Sequence, residues 1–321
     1  MEPIFLAPYF RPKIWGGHKL ERLFHYRVPE GKIGEAWVIS GHRSGPDKII
    51  NGPLKGLTLR EAYQRHPVYF GYPKGKEFPL LVKFLDANDN LSVQVHPDDA
   101  YAKINENDSG KTESWYVLQA DPGAQLIYGH HAKSKEQLRD WITNQKWHKL
   151  LRYVPVKTGD FFYVPAGTVH ALTKGIMVIE TQQSSDVTYR LYDWDRIDAK
   201  TGKKRQLHLK QAMDTIQVPH HDPEKHIEQQ TQQDAVIKTL VSPPQSPHFY
   251  LYQIDLDGRW DQERSGHPYW LVSVIKGSGK LICDGHIYSI ALGSNFILPN
   301  QVQHFAFEGK LRLVISAPGN K

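Results

Sequence analysis

The first residues in this chain with a pattern fit for chemistry are Ser92-Val93-Gln94-Val95-His96. Side chains alternate across a β-strand, so Ser92, Gln94 and His96 share one face and the valines take the other. The valines suit a core. Three polar groups turned inward cost free energy unless something pairs with them, and a metal ion with its substrate would do so. A lone histidine makes no site, but Glu113 and His170 supply company. Glu113 opens an alternating run to Gln119 after the Gly110 turn, and His170 ends the turn that starts at Pro165. His96, Glu113, His170 and the Gln94 amide oxygen together offer two nitrogens and two oxygens. That mix suits Zn²⁺, tolerates Mn²⁺, Co²⁺ or Fe²⁺, and leaves a fifth position for water or substrate.

Other reactive side chains lie close in sequence. Lys111 stands two residues before Glu113, which puts both on one face of an extended segment. It is a candidate acid or base, or equally a phosphate ligand. Asp186 and Arg190 are four apart and are expected to pair, the carboxylate orienting the guanidinium. Lys83 reads as a strand-edge surface lysine. The histidines at 18, 25, 42, 66, 130, 131, 220 and 221 fall in loops or beside proline and read as solvated.

These residues need strands to hold them. Aromatic side chains are plentiful, and glycine and proline punctuate short alternating runs, as in a β-sandwich or barrel. Strands are expected at 80–85, 92–96, 114–119, 125–128, 160–164 and 176–180. A second set is expected at 249–255, 269–275, 280–283, 294–298 and 311–316. Capping boxes at Thr58–Glu61 and Ser134–Gln137 each announce a helix. The second helix, extended by Trp147, Leu150 and Leu151, makes a small helical insertion around 134–152. Leu209, Ala212, Met213 and Ile216 mark a third helix. Residues 219–235 are polar and read as a linker, dividing the chain into 1–235 and 236–321. An internal repeat links the two parts: Gly159-x5-Pro165-x4-His170 has a partner in Gly293-x5-Pro299-x4-His304.

Composition narrows the class. The 321 residues are 40% hydrophobic, enough for a core, and the longest apolar runs fall far short of the ~20 residues of a membrane helix. The N-terminal residues lack the pattern of a secretory signal. One cysteine, Cys283, excludes a disulfide framework and any CxxC site, so a reducing cytoplasm is expected. The net charge of +6 admits nucleic acid, a membrane surface or an anionic small molecule. No nucleic-acid-binding motif is present, and the dense basic patch Lys200–Arg205 reads as a solvated turn.

The Gly159–His170 pattern matches the second cupin motif, and Gln94-x-His96 with Glu113 resembles the first, with Gln where many cupins have His. More narrowly, Trp15-Gly16-Gly17, Gly34-Glu35-Ala36-Trp37, Pro79–Ala87, Ser92–Pro97, Gly110-Lys111-Thr112-Glu113 and Gln182–Arg190 occur in an order that resembles the type I phosphomannose isomerases in their short bacterial form. The resemblance covers most of the chain. It implies a mainly β fold of two cupin-type jelly-roll barrels, and one Zn²⁺ per chain on Gln94, His96, Glu113 and His170. It implies Arg190, Lys111 and Asp186 as catalytic residues, with Ser92, Lys111 and Arg190 binding a sugar phosphate. The C-terminal unit keeps His304 but has Gln301 in place of the motif glycine, and is expected to hold no metal.

The implied activity is interconversion of mannose 6-phosphate and fructose 6-phosphate through a cis-enediol, by a monomer or weak homo-oligomer. Such a reaction moves protons between C1 and C2 and needs developing negative charge stabilised. Arginine keeps its proton and so suits the electrostatic part. The alternatives are a metal-dependent cupin oxygenase, against which Lys111, Asp186 and Arg190 argue, and a non-catalytic sugar-phosphate-binding cupin.

Overall fold

The computed structural model describes residues 2–198, 201–224, 226–264 and 266–319. The first part contributes β1 (Ile4–Ala7), β2 (Tyr9–Gly17), β3 (Ile33–Ser40), β4 (Lys48–Ile49), β5 (Leu80–Ala87), β6 (Val93–Val95) and β7 (Glu113–Ala120). It continues with β8 (Gln125–His130), β9 (Leu151–Pro155), β10 (Phe161–Val164), β11 (His170–Ala171), β12 (Ile176–Gln183) and β13 (Tyr189–Tyr192). Then come β14 (Ile197–Asp198), β15 (Lys203–Lys204), β16 (Glu228–Gln232), β17 (Ala235–Val241) and β18 (Phe249–Glu263). The last four are β19 (Trp270–Cys283), β20 (His286–Ala291), β21 (Asn295–Leu298) and β22 (His304–Pro318). Every expected strand falls on one of these.

The chain is mainly β, as expected, but hydrogen bonding groups its strands into open sheets rather than closed rings. A six-stranded sheet runs β10-β7-β12-β5-β3-β2 and a five-stranded sheet runs β13-β6-β11-β8-β9. Their facing sides share one core, in which Trp115, Val117 and Val178 of the first meet Leu126 and Tyr128 of the second. Strict alternation sends the remaining side chains outward to other cores. Val82, Phe84 and Ile179 pack against Leu251 and Leu271 of the C-terminal part. Val93, Val95 and Leu191 pack under the helical insertion. The valines beside Gln94 therefore do enter a core.

The C-terminal strands build a nine-stranded sheet that β1 and β4 join at one edge, Ile4 lying opposite Ile297. The polar stretch 219–235 is not wholly a linker: Glu228–Gln232 forms β16, an exposed edge strand paired to β17. Edge strands tolerate such polar sequence because only one side is bonded and both faces meet water. The stretches 269–275 and 280–283 fuse into β19. Its register against β22 shifts between Val274 and Lys276, just before Gly277 at φ +81°.

The helices start where expected. Thr58 and Glu61 bond reciprocally, with N–H···O distances of 3.2 and 2.9 Å. Ser134 caps its helix, Lys135–Thr143, by accepting from Gln137 N–H. There the Gln137 side chain turns to the Lys133 N–H rather than completing a box.

Candidate metal centre and substrate cavity

Strand register builds this site. In the five-stranded sheet His170 lies opposite Gln94, and Gln94 lies opposite Arg190. Directly opposed residues point to the same face, so the three form one row across β11, β6 and β13. A second row crosses the other sheet: Trp115, Glu180, Lys83 and Trp37 lie opposite one another on β7, β12, β5 and β3. Glu113, two residues before Trp115, takes the same face.

The two rows meet at a buried cluster. His170 Nε2 is 3.2 Å from one Glu113 oxygen and His96 Nε2 is 3.4 Å from the other. Both imidazoles are fixed from behind, His96 Nδ1 by the Val187 carbonyl at 2.8 Å and His170 Nδ1 by the Thr168 carbonyl at 2.9 Å. Nδ1 is then the donor and Nε2 presents a lone pair, as a metal-binding histidine requires. The two Glu113 oxygens are buried and accept no hydrogen bond; Lys111 Nζ stands 3.3 Å from one of them, and a metal ion between the carboxylate and the two imidazoles would complete the set. Burial, and next the Lys111 ammonium, push His96 down to about 3, so its ring is neutral. Burial works against the Glu113 carboxylate, but Lys111, His170 and His96 override it and keep it ionised. Two anchored imidazoles around an ionised carboxylate are a donor set for a divalent metal.

Gln94 belongs to this cluster with its amide turned. Its nitrogen, not its oxygen, stands 3.3 Å from His170 Nε2. Oxygen ligation needs a 180° rotation of the amide, which exchanges two atoms of equal size. Lys111 Nζ lies 3.0 Å from His96 Nε2 and 3.3 Å from Glu113, so the shared face inferred for Lys111 and Glu113 holds.

A cavity of about 310 Å³ opens beside the cluster, bordered by Ser92, Gln94, Lys111, Asp186 and Arg190. Asp186 and Arg190 do not pair. Asp186 binds Arg11 at 2.9 Å, whereas Arg190 Nη1 donates to the Gln206 carbonyl at 2.8 Å. Their spacing of four implies contact only on a helix, and this segment is a turn entering a strand. Burial disfavours the Asp186 carboxylate, but Lys83 and Arg11 outweigh it and hold its pKa down.

Lys83 is no surface lysine. It is 3% exposed, 3.3 Å from Glu180, with its ammonium 5.1 Å from the centre of the Trp37 ring. Glu180 also accepts from Trp115 Nε1 at 2.9 Å. One strand further out, Glu35 accepts from Trp37 Nε1 at 2.7 Å and pairs with Lys13 at 2.8 Å. Burial would raise the Glu35 carboxyl, yet Lys13 and Lys83 bring it down to about 2. Sequence reading missed Lys13, Glu35, Glu180 and Arg205 as cavity residues. The signal was there for Lys83, Glu180 and Glu35, which are charged residues inside otherwise apolar strands. Arg205 sat in the patch read as a solvated turn. Lys203 and Lys204 are exposed as expected and Lys200 lies outside the described residues, but Arg205 turns back to bind Asp193. The loop histidines also divide. His42 and His130 are buried, and His220 pairs with Asp222 at 3.0 Å rather than facing water.

Similarity to known proteins agrees with this geometry. Residues 4–125 match the family model for the phosphomannose isomerase type I catalytic domain, and residues 239–318 match that for the mannose-6-phosphate isomerase cupin domain. A probable mannose-6-phosphate isomerase of Bacillus subtilis is 48% identical over 98% of this chain and 99% of its own length. A mannose-6-phosphate isomerase of Streptococcus mutans is 47% identical over 98% of both. A crystal structure of the Bacillus subtilis mannose 6-phosphate isomerase superposes with a TM-score of 0.94 at 42% identity, covering 98% of this chain and 99% of that one. With identity at this level over the full length, the chain belongs to the type I phosphomannose isomerase family.

Proposed function

We propose that this protein is a metal-dependent aldose–ketose isomerase that interconverts mannose 6-phosphate and fructose 6-phosphate. The observation that carries the reading is the buried Glu113 carboxylate. Its two oxygens lack hydrogen bonds and face two anchored histidines at one end of a cation-rich cavity. The residues fit a zinc ion held by Gln94, His96, Glu113 and His170, which when bound would polarise the C1 and C2 oxygens of the open-chain sugar.

The chain's own groups do the rest. In the aldose-to-ketose direction a proton leaves C2 and is delivered to C1, while the hydroxyl proton of O2 passes to O1. Lys111 and Asp186 divide the acid and base work. Arg190, beside Gln94 in the same cross-strand row, stabilises the charge that develops on oxygen. Ser92, at the cavity wall, assists in binding the sugar phosphate. The C-terminal unit, which we place at 236–321 as a second cupin, holds no metal. Among the described residues no helix is long and apolar enough to cross a membrane. The one cysteine, Cys283, is a buried free thiol, and a chain without disulfides fits a reducing cytoplasm.

The decisive experiment is a coupled assay of the zinc-loaded protein with mannose 6-phosphate. Turnover that disappears with a chelator and returns with Zn²⁺ is expected, with one metal per chain. Absence of turnover in the zinc-loaded protein sinks the reading. Washout of C2 deuterium into solvent is expected for the cis-enediol route, and complete intramolecular retention counts against it.

A further inference from the structure

The two sheets of the first part leave a gap where they fail to close. β10 ends the six-stranded sheet and β9 ends the five-stranded one, and no ladder joins these two edges among the described residues. A second cavity, of about 120 Å³, opens there between Val154 of β9 and Phe161, Phe162 and Tyr163 of β10. Asp222 of the polar stretch and Leu240 and Gln245 of the C-terminal part complete its wall. It thus lies at the seam between the two parts of the chain, a common place for ligand sites. It shares no lining residue with the substrate cavity.

Size, charge and hydrogen bonding select the occupant. An engineered apolar cavity of about 150 Å³ takes up benzene, so this volume suits a single aromatic ring. Phe161, Phe162, Tyr128 and Tyr163 offer ring faces and edges for it. The Tyr128 hydroxyl is already committed to the Tyr163 carbonyl. The two charges on the wall cancel: Arg152 holds both oxygens of Asp222, at 2.5 and 2.8 Å, and His220 adds a contact at 3.0 Å. A charged ligand therefore gains nothing here, and a neutral one meets no unmatched charge. One polar group is left over. Gln245 Nε2 donates to the Glu224 carbonyl at 2.7 Å, which fixes the amide, and Gln245 Oε1 is buried without a donor. A hydroxyl on the ring would supply one.

We propose that this cavity is a second ligand site, separate from the metal centre, for a neutral single-ring aromatic that carries one hydrogen-bond donor: a phenol. The ring packs among the aromatic side chains and its hydroxyl donates to Gln245 Oε1. The assignment stands apart from the isomerase reading, since it uses none of that site's residues.

The test titrates phenol, and toluene as a probe without a donor, into the full-length zinc-loaded protein by calorimetry and ligand-observed NMR. Wild type should bind one phenol per chain, saturably, with the same affinity in the presence of saturating mannose 6-phosphate. Gln245→Leu should weaken phenol on the order of 10-fold, because the hydroxyl is then buried without an acceptor. Toluene should bind that variant at least as tightly as wild type. Leu240→Phe, which fills the cavity, should weaken both probes by more than 10-fold. Absence of saturable phenol binding overturns the proposal, as does displacement of phenol by mannose 6-phosphate. Unchanged phenol affinity in either folded variant overturns it too, and so does a Gln245→Leu protein that loses toluene as much as phenol. Should Leu240→Phe fail to fold, Gln245→Leu decides alone, since its side chain lies on a loop and the change keeps its size. Binding of these probes needs no turnover, so failure here and failure of the isomerase reading are read separately.

Discussion

The two repeated strand–turn–strand units, 159–170 and 293–304, have the same backbone scheme and opposite contents. In each, the residue before the proline ends a strand and the turn closes on the proline carbonyl, with N···O distances of 3.2 Å for Thr168 to Pro165 and 3.0 Å for Val302 to Pro299. The strand partners then diverge. Val164 lies opposite Glu113, while the corresponding Leu298 lies opposite Trp270. His170 lies opposite Gln94, while His304 lies opposite Glu263. Where the first unit buries a carboxylate, the second buries an indole that packs against Phe305 at 5.2 Å. His170 is inaccessible to solvent, whereas the His304 side chain is 73% exposed. One scaffold thus yields a polar interior that needs a cation and an aromatic interior that needs nothing. The difference lies in two or three residues that meet across strands.

The sharpest way to break this comparison is to substitute the paired positions. Glu113→Gln should lower kcat/KM on the order of 1,000-fold, with loss of bound metal in elemental analysis. His304→Ala should leave both activity and metal content as in wild type, and a metal or activity loss there would erase the distinction. At the position matching Glu113, Trp270→Ala should cost about 3–5 kcal/mol in denaturant unfolding by leaving a cavity. The protein that remains folded should still bind metal.

Acid should separate the two units by stability. The Glu35 carboxyl is held at about 2, below its ordinary 4.5. Its contribution is present above about 4.5 and is lost as pH falls from there through about 2, amounting at most to the order of 3 kcal/mol. Glu35→Gln should therefore lose less stability than wild type between pH 5 and pH 2 (roughly the span of the two values) in unfolding titrations. An unaltered slope would show that the buried charge rows do not govern acid sensitivity.

The smallest contrast lies in the turns. Gly167 has φ +85°, and a Cβ there would stand 2.7 Å from the Gln217 side chain. Gly167→Ala should cost about 1–3 kcal/mol and weaken metal binding by displacing His170. At the corresponding Gln301, whose φ is not positive, substitution by glycine should change stability by about 1 kcal/mol or less.

Local order carries its own record in this chain. Alternation around Val93 and Val95 marks a strand with one apolar face. The Thr58–Glu61 box marks a helix start, and the spacing of Pro165 and His170 marks a turn. His96, Glu113 and His170 were legible as candidate ligands because their types are costly to bury without a purpose. Partnerships were not legible at this level. The Asp186–Arg190 spacing pointed to a pair, yet Arg11, 175 residues away in sequence, takes Asp186. Lys83 looked like a surface residue until β12 brought Glu180 beside it. Arg205 looked solvated until Asp193 met it.

What the sequence alone determined is the chemistry available and the period of each element. Residue type, alternation and turn residues act within a few neighbours along the chain. Only tertiary structure decided which side chains share a cavity, which charges remain unmatched and which of two similar turns holds a buried histidine. Those outcomes depend on strand register, and register is settled by packing across sheets far apart in sequence.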